Sequence, residues 1–279
     1  MRKAQRDNLR LGSLLSLGLL SLGLLALGLL AFAMTGAALA DEQGTAATET
    51  KAAKAQEGGG KFVHLFYFKF KEGVADEEIA ELMKELANST KKIPVVKEFM
   101  VGKNVARQTH GFQYGEIAIF EKKEDLEIFE RHPEHQKVVR KIIPKLVHGV
   151  TMDFVPIGDV SLAGVHSSTD ANEKTEAKKK KFIHAFCFKF KKDAPEEVVA
   201  QLMQELADSK RHIPVLREFM VGKNVARNSH GFQYGEIAVF DKEEDHHVFQ
   251  LHPEHRKLVP RILPYVEMGI TMDFEPIEY

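Results

Sequence analysis

The sequence predicts an α+β fold in two similar halves. Each half is a four-stranded antiparallel sheet with helices on one face, and the two sheets close against each other into a barrel within one chain. Three observations carry this reading. Residues 61–157 align without a gap onto residues 181–277, and 58 of the 97 paired positions are identical. A period of this length exceeds the roughly 20–50 residues of solenoid repeats, so each copy is a domain-sized unit. Within each copy, strand and helix patterns alternate in the order βαββαβ. Finally, the first strand of each copy is apolar on both faces, which requires helices on one side and a second sheet on the other.

Residues 1–40 have a layout of their own. Arg2, Lys3, Arg6 and Arg10 precede an apolar run from Leu11 to Met34, and Ala38-Leu39-Ala40 stands before Asp41. A basic stretch, an apolar core and a small-residue cleavage site read as a secretory signal cut after Ala40, giving a periplasmic or secreted protein. The apolar run is also long enough to span a bilayer, so a membrane anchor at residues 11–34 is the alternative, and a membrane is a partner only in that case. Residues 41–60 and 158–180 are polar, lack apolar periodicity and read as flexible linkers. They bound repeat one (61–157) and repeat two (181–279).

In repeat one, period two places Phe62, His64, Phe66, Phe68 and Phe70 on one face of the first strand and Val63, Leu65 and Tyr67 on the other. Ile79, Leu82, Met83, Leu86 and Ala87 recur at steps of three and four, predicting a helix from Asp76 to Lys91 with Asp76 or a neighbour as its N-cap. Val95–Lys103 and Phe112–Phe120 follow as strands, with Phe112, Tyr114 and Glu116 expected on one face. A helix over Lys122–Arg131 stops at His132, because the next residue is proline. Pro133 suits the first turn of a further helix, which His132 caps, and Val147–Val155 closes the repeat. The βαββαβ order is the ferredoxin-like split unit. Two copies that bury their free sheet faces against each other make an intrachain pseudo-dimer.

The composition excludes several functions. Lys and Arg total 39 against 40 Asp and Glu, so there is no basic surface for nucleic acid. Lys178–Lys181 reads as solvated linker. The one cysteine, Cys187, allows no internal disulfide and replaces Tyr67 in the second copy, where it reads as packing. There is no phosphate-binding loop and no serine or cysteine nucleophile set. His132 and His135 are three apart but lack a third ligand at suitable spacing, so no metal or other cofactor is expected. His246-His247, which has no counterpart in repeat one, is expected at the surface.

Several motifs occur in the same order in both copies. They are His-Leu-Phe-Tyr-Phe-Lys-Phe-Lys from His64, Gly102-Lys103-Asn104, an aromatic residue before His132-Pro133-Glu134-His135, and Asp153-Phe154. Together they resemble the stress-responsive A/B barrel family over some 200 residues. The resemblance implies a dimeric α+β barrel, which most relatives assemble from two chains and which can associate further into larger homo-oligomers. Some members resemble plant polyketide cyclases, which close an aromatic ring by acid–base chemistry without a cofactor. By that resemblance the second histidine of the motif, His135 or His255, is the base, and the strand histidine is His64 or His184. The tyrosine of those cyclases is replaced by Phe129 and Phe249, and a further cavity histidine by Tyr114 and Tyr234. The chain also lacks the tryptophan that related haem-degrading and quinol monooxygenase barrels tend to use.

Two classes of function follow. One is a non-catalytic barrel that packs solid or takes a small aromatic or apolar ligand. The other is a cofactor-free acid–base enzyme using His135 and His255. They differ in whether His64 and His135 meet across a cavity, and Glu116 and Glu236 accompany them if their strand face is interior.

Overall fold

A computed structural model of the chain describes residues 60–158 and 181–279. Among these residues no helix is long and apolar enough to cross a membrane. The expected signal or anchor at residues 1–40 and most of both linkers lie outside the described residues.

Repeat one runs β1 (Phe62–Phe70), α1 (Asp76–Thr90), β2 (Glu98–Lys103), β3 (Tyr114–Phe120), α2 (Glu124–Arg131), α3 (Pro133–Ile142) and β4 (Leu146–Phe154). Repeat two repeats this as β5 (Phe182–Phe190), α4 (Glu196–Asp208), β6 (Glu218–Lys223), β7 (Tyr234–Phe240), α5 (Glu243–Leu251), α6 (Pro253–Ile262) and β8 (Val266–Phe274). The sheets have strand orders β2-β3-β1-β4 and β6-β7-β5-β8, antiparallel throughout. This is the expected ferredoxin-like unit, twice, and both copies lie in one compact unit.

The two faces of β1 part as period two requires. Val63, Leu65 and Tyr67 enter a core shared with Ile183, Ala185 and Cys187, between the sheets. Phe62, Phe68 and Phe70 pack under the helices with Leu82, Met83, Leu86 and Phe129. Tyr67 and Cys187 occupy the same position in the two copies and lie against each other, and burial pushes the Cys187 thiol up to about 12. A thiol so held is protonated packing rather than a nucleophile.

Three local expectations need correction. The second strand begins at Glu98 rather than Val95, because Val96 N–H turns back to Ile93 O at 3.1 Å beside Pro94. The third strand begins at Tyr114, and Phe112 does not share its face. Positive φ at His110 (49°) and Gly111 (82°) turns the chain there, sending Phe112 into the inter-sheet core while Tyr114 faces the helices. The first helix is entered from Ala75 without a side-chain cap, and Asp76 instead pairs with Lys103 at 2.8 Å.

The repeats hold each other through reciprocal contacts. Asn104 Nδ2 donates to Thr271 O (3.1 Å), its Oδ1 accepts from Asp273 N–H (3.1 Å), and Val105 N–H donates to Asp273 O (2.8 Å). Asn224 and Val225 do the same to Thr151 and Asp153, at 3.2, 2.9 and 2.7 Å. Beyond each last strand the chain crosses over: Ile277 N–H donates to Val101 O (2.9 Å), and Ile157 N–H to Val221 O (2.7 Å). Edge strands β2 and β6 are thereby covered, which removes the exposed backbone that an open sheet presents. Gly102 permits this approach, since a Cβ there would stand 2.2 Å from the ring of Phe274; Gly222 stands likewise to Phe154.

Candidate functional site

The helix-facing side of the sheet carries the polar groups. Strand register sets Ala118–His64–Asp153 in one row and Glu116–Phe66–Thr151 in the next. His64 is buried, with Nδ1 2.6 Å from Asp153 Oδ1 and Nε2 3.6 Å from Glu116 Oε1. Burial alone would lower its pKa, but the hydrogen bond to Asp153 and the nearby Glu116 carboxyl group outweigh it and raise the value to about 10. His64 is therefore an imidazolium clasped by two carboxylates at neutral pH.

The opposite wall comes from the His-Pro-Glu-His junction. Pro133 occupies the first turn of α3, and His132 caps it as expected, its Nδ1 accepting from Glu134 N–H at 3.3 Å. One turn in, the ring of His135 packs 4.1 Å from Phe129, and its Nδ1 lies 3.3 Å from Glu130 O. A carbonyl can only accept, so Nδ1 carries the proton and Nε2 the lone pair. Burial lowers the His135 pKa, so the ring is a neutral imidazole.

His64 and His135 line one cavity of about 280 Å³, with Glu116, Glu130 and Thr151 among the polar groups and Phe66, Phe68, Leu86 and Ile142 among the apolar ones. Asn228 also lines it, so repeat two helps to enclose the site of repeat one. The matching cavity in repeat two, about 250 Å³, has His184, Glu236, Phe249, His255 and Thr271 in its walls. There His184 Nδ1 meets Asp273 Oδ1 at 2.6 Å. Burial opposes and the Asp273 hydrogen bond favours a raised pKa for His184, and the aspartate wins. His255 repeats the bond of His135, to Gln250 O at 3.3 Å, and is also lowered by burial. Burial lifts Glu236 to about 7.

Of the residues singled out in the sequence, His64, His135, His184, His255 and Phe249 line the cavities, and Phe129 lies between the two histidine rings of repeat one, 6.2 Å from His64. Tyr114 and Tyr234 do not line them; they pack edge-on against Phe70 and Phe190. The copies also differ. Glu130 of repeat one is Gln250 in repeat two, and His246 replaces Leu126.

His246 is not at the surface as expected: it is 7% exposed, with its ring 4.7 Å from that of His184. The helix turns this position inward, toward Phe182, Phe240 and Phe249. Burial, followed by the charge of His184, lowers its pKa to about 4. Asp153 and Asp273, the partners of the strand histidines, were visible in the sequence only as half of the repeated Asp-Phe pair.

Residues 62–156 and 182–276 each match the family model described as the Stress Responsive A/B Barrel Domain. The Stress-response A/B barrel domain-containing protein HS1 of Arabidopsis thaliana is 30% identical over 103 residues, 36% of this chain and 94% of the relative. Among solved structures, a provisionally assigned monooxygenase from Fusobacterium nucleatum matches at 9% identity with a TM-score of 0.55, over 79% of this chain and 94% of that one. Another provisionally assigned monooxygenase, from Lactobacillus acidophilus, matches at 14% identity and a TM-score of 0.51, over 77% and 93%. At such identities these likenesses concern the fold, and they span more of the chain than one repeat.

Protonation of these groups has a checkable consequence. In long-range ¹H–¹⁵N spectra at pH 7, His135 and His255 are neutral Nδ1–H tautomers, His246 is neutral and His64 is an imidazolium. The His64 pKa is raised on folding, so its contribution to stability is full below about pH 6.5 and is lost as pH rises through about 10. A neutral His64 ring at pH 7 contradicts this.

Proposed function

We propose that this chain, which belongs to the stress responsive A/B barrel domain family, is a small-molecule-binding barrel that takes one aromatic or apolar ligand in each repeat. The observation that carries this is the pair of equivalent cavities lined by phenylalanine and aliphatic side chains, each with a strand histidine, a buried glutamate and a helix histidine. Volumes of about 250 and 280 Å³ lie between the about 150 Å³ that holds benzene and the about 300 Å³ at which drug-sized sites begin. A single substituted ring bearing a hydroxyl or carbonyl matches that size and polarity. The free Nε2 lone pair of His135 is an acceptor for such a hydroxyl.

A second reading, cofactor-free proton transfer, has one observation in its favour. His135 and His255 are neutral and bonded at Nδ1 to a backbone carbonyl, which leaves Nε2 as a base. Phenylalanine at positions 129 and 249 removes the hydroxyl that the cyclase resemblance supplies. The family and its monooxygenase-like neighbours are compatible with either role.

A panel of substituted phenols and aryl ketones, titrated calorimetrically, tests the binding reading. At least one compound binds with a stoichiometry of two per chain, and Val139→Phe, which fills the first cavity, reduces this to one. Failure of every compound, or an unchanged stoichiometry, contradicts it. The same ketones test the catalytic reading by deuterium exchange at the α-carbon: His135→Ala combined with His255→Ala slows it by about 10²-fold or more, whereas absent exchange in the wild type leaves binding alone.

We also propose that the barrel is exported. The support is the basic, apolar and small-residue order of residues 1–40, with Leu11–Met34 as the alternative membrane anchor. N-terminal sequencing of the mature protein should begin at Asp41; an intact Met1 together with membrane association favours the anchor.

A further inference from the structure

Repeat two contains a polar cluster that repeat one lacks. The donor atoms of His184, His246 and Asp273 all lie within 4.8 Å of one another. In repeat one the equivalent positions are His64, Leu126 and Asp153, so the second nitrogen donor is missing. Packing does not require a histidine here, since leucine serves at position 126. A buried imidazole nitrogen without a hydrogen-bond partner costs free energy, and Nε2 of His246 is such an atom. A buried oxygen of Glu236, on the neighbouring row of the same sheet face, is also without a partner.

We propose that repeat two binds a divalent transition-metal ion through His184, His246 and Asp273. Two imidazoles and one carboxylate form a ligand set of the borderline-soft type preferred by Zn²⁺ and its neighbours, and three protein ligands leave a position open for water or a ligand atom. The ion releases to solvent the proton now shared between His184 and Asp273 and takes the lone pair of His246 Nε2. Ligand atoms about 2.0–2.2 Å from zinc stand about 3.3 Å apart in a tetrahedron. The His246 ring, which stacks on His184 at 28°, must therefore rotate closer, while the His184–Asp273 pair, now 2.6 Å apart, opens to admit the ion. His184 also lines the cavity of repeat two, so the ion sits beside that cavity and makes the two sites of the chain chemically different. The proposal stands whether or not the cavities bind an organic ligand.

The test uses the tag-free full chain, stripped of metal with a chelator. Co²⁺ is added while its visible ligand-field absorption is followed, and Zn²⁺ is then added as competitor. One Co²⁺ binds per chain and is displaced by Zn²⁺. His246→Leu, which copies repeat one, weakens binding by about 100-fold or more with an unchanged circular dichroism spectrum. Leu126→His rebuilds the cluster in repeat one and raises the stoichiometry to two, and it decides alone if His246→Leu fails to fold. Absence of Co²⁺ and Zn²⁺ binding in the wild type overturns the proposal, as does binding that His246→Leu leaves unaltered.

Discussion

The reciprocal clasp between the repeats is the constraint on which the rest of the structure depends. Asn224 of repeat two fixes the backbone of Asp153 in repeat one, and Asn104 of repeat one does the same for Asp273 in repeat two. Each aspartate side chain in turn holds a strand histidine at 2.6 Å. The contact that closes the barrel is thus one residue removed from the contact that charges His64 and His184. A single repeat would have the sheet and the helices but would lack the side chain that sets the aspartate backbone. Joining the copies in one chain makes their pairing intramolecular, so it does not depend on protein concentration.

The same arrangement explains which residues can vary between copies and which are paired across the barrel. Gly102 and Gly222 face Phe274 and Phe154 at distances that leave no room for a Cβ. Glycine, asparagine and the Asp-Phe pair work as a reciprocal set, each member useful only while its partner is present. Between the sheets, Tyr67 can become Cys187 because the two residues meet each other, so one large and one small side chain share the space. Away from that seam the repeats diverge more freely, and the changes at Glu130/Gln250 and Leu126/His246 alter the electrostatics around one strand histidine without disturbing its aspartate.

Much of this was legible in the sequence because periodicity alone decides it. The alternation along Phe62–Phe70 separated the two cores, and Pro133 with its neighbouring histidines marked the start of α3 and its cap. Other features depend on local backbone or on tertiary contact. Phe112 changes face because His110 and Gly111 adopt positive φ, a geometry uncommon for any residue but glycine. Val95 and Val96 have strand-forming side chains but are held in a turn beside Pro94. His246 was misplaced because two adjacent histidines in a polar stretch look solvent-facing; one of them lies on the inner stripe of α5, in contact with His184. The pairing of His64 with Asp153 joins residues 89 apart in sequence, and only strand register brings them opposite each other.

The measurement that bears most directly on this account is the titration of His64 and His184 by NMR in the Asn224→Ala chain. The substitution lies in repeat two, yet it loosens the backbone of Asp153 in repeat one. The raised pKa of His64 then falls toward 6.5, while His184, whose aspartate is held by Asn104, keeps its wild-type titration. An unchanged His64, or an equal shift at both histidines, would contradict the claim that each repeat's site is set by the other.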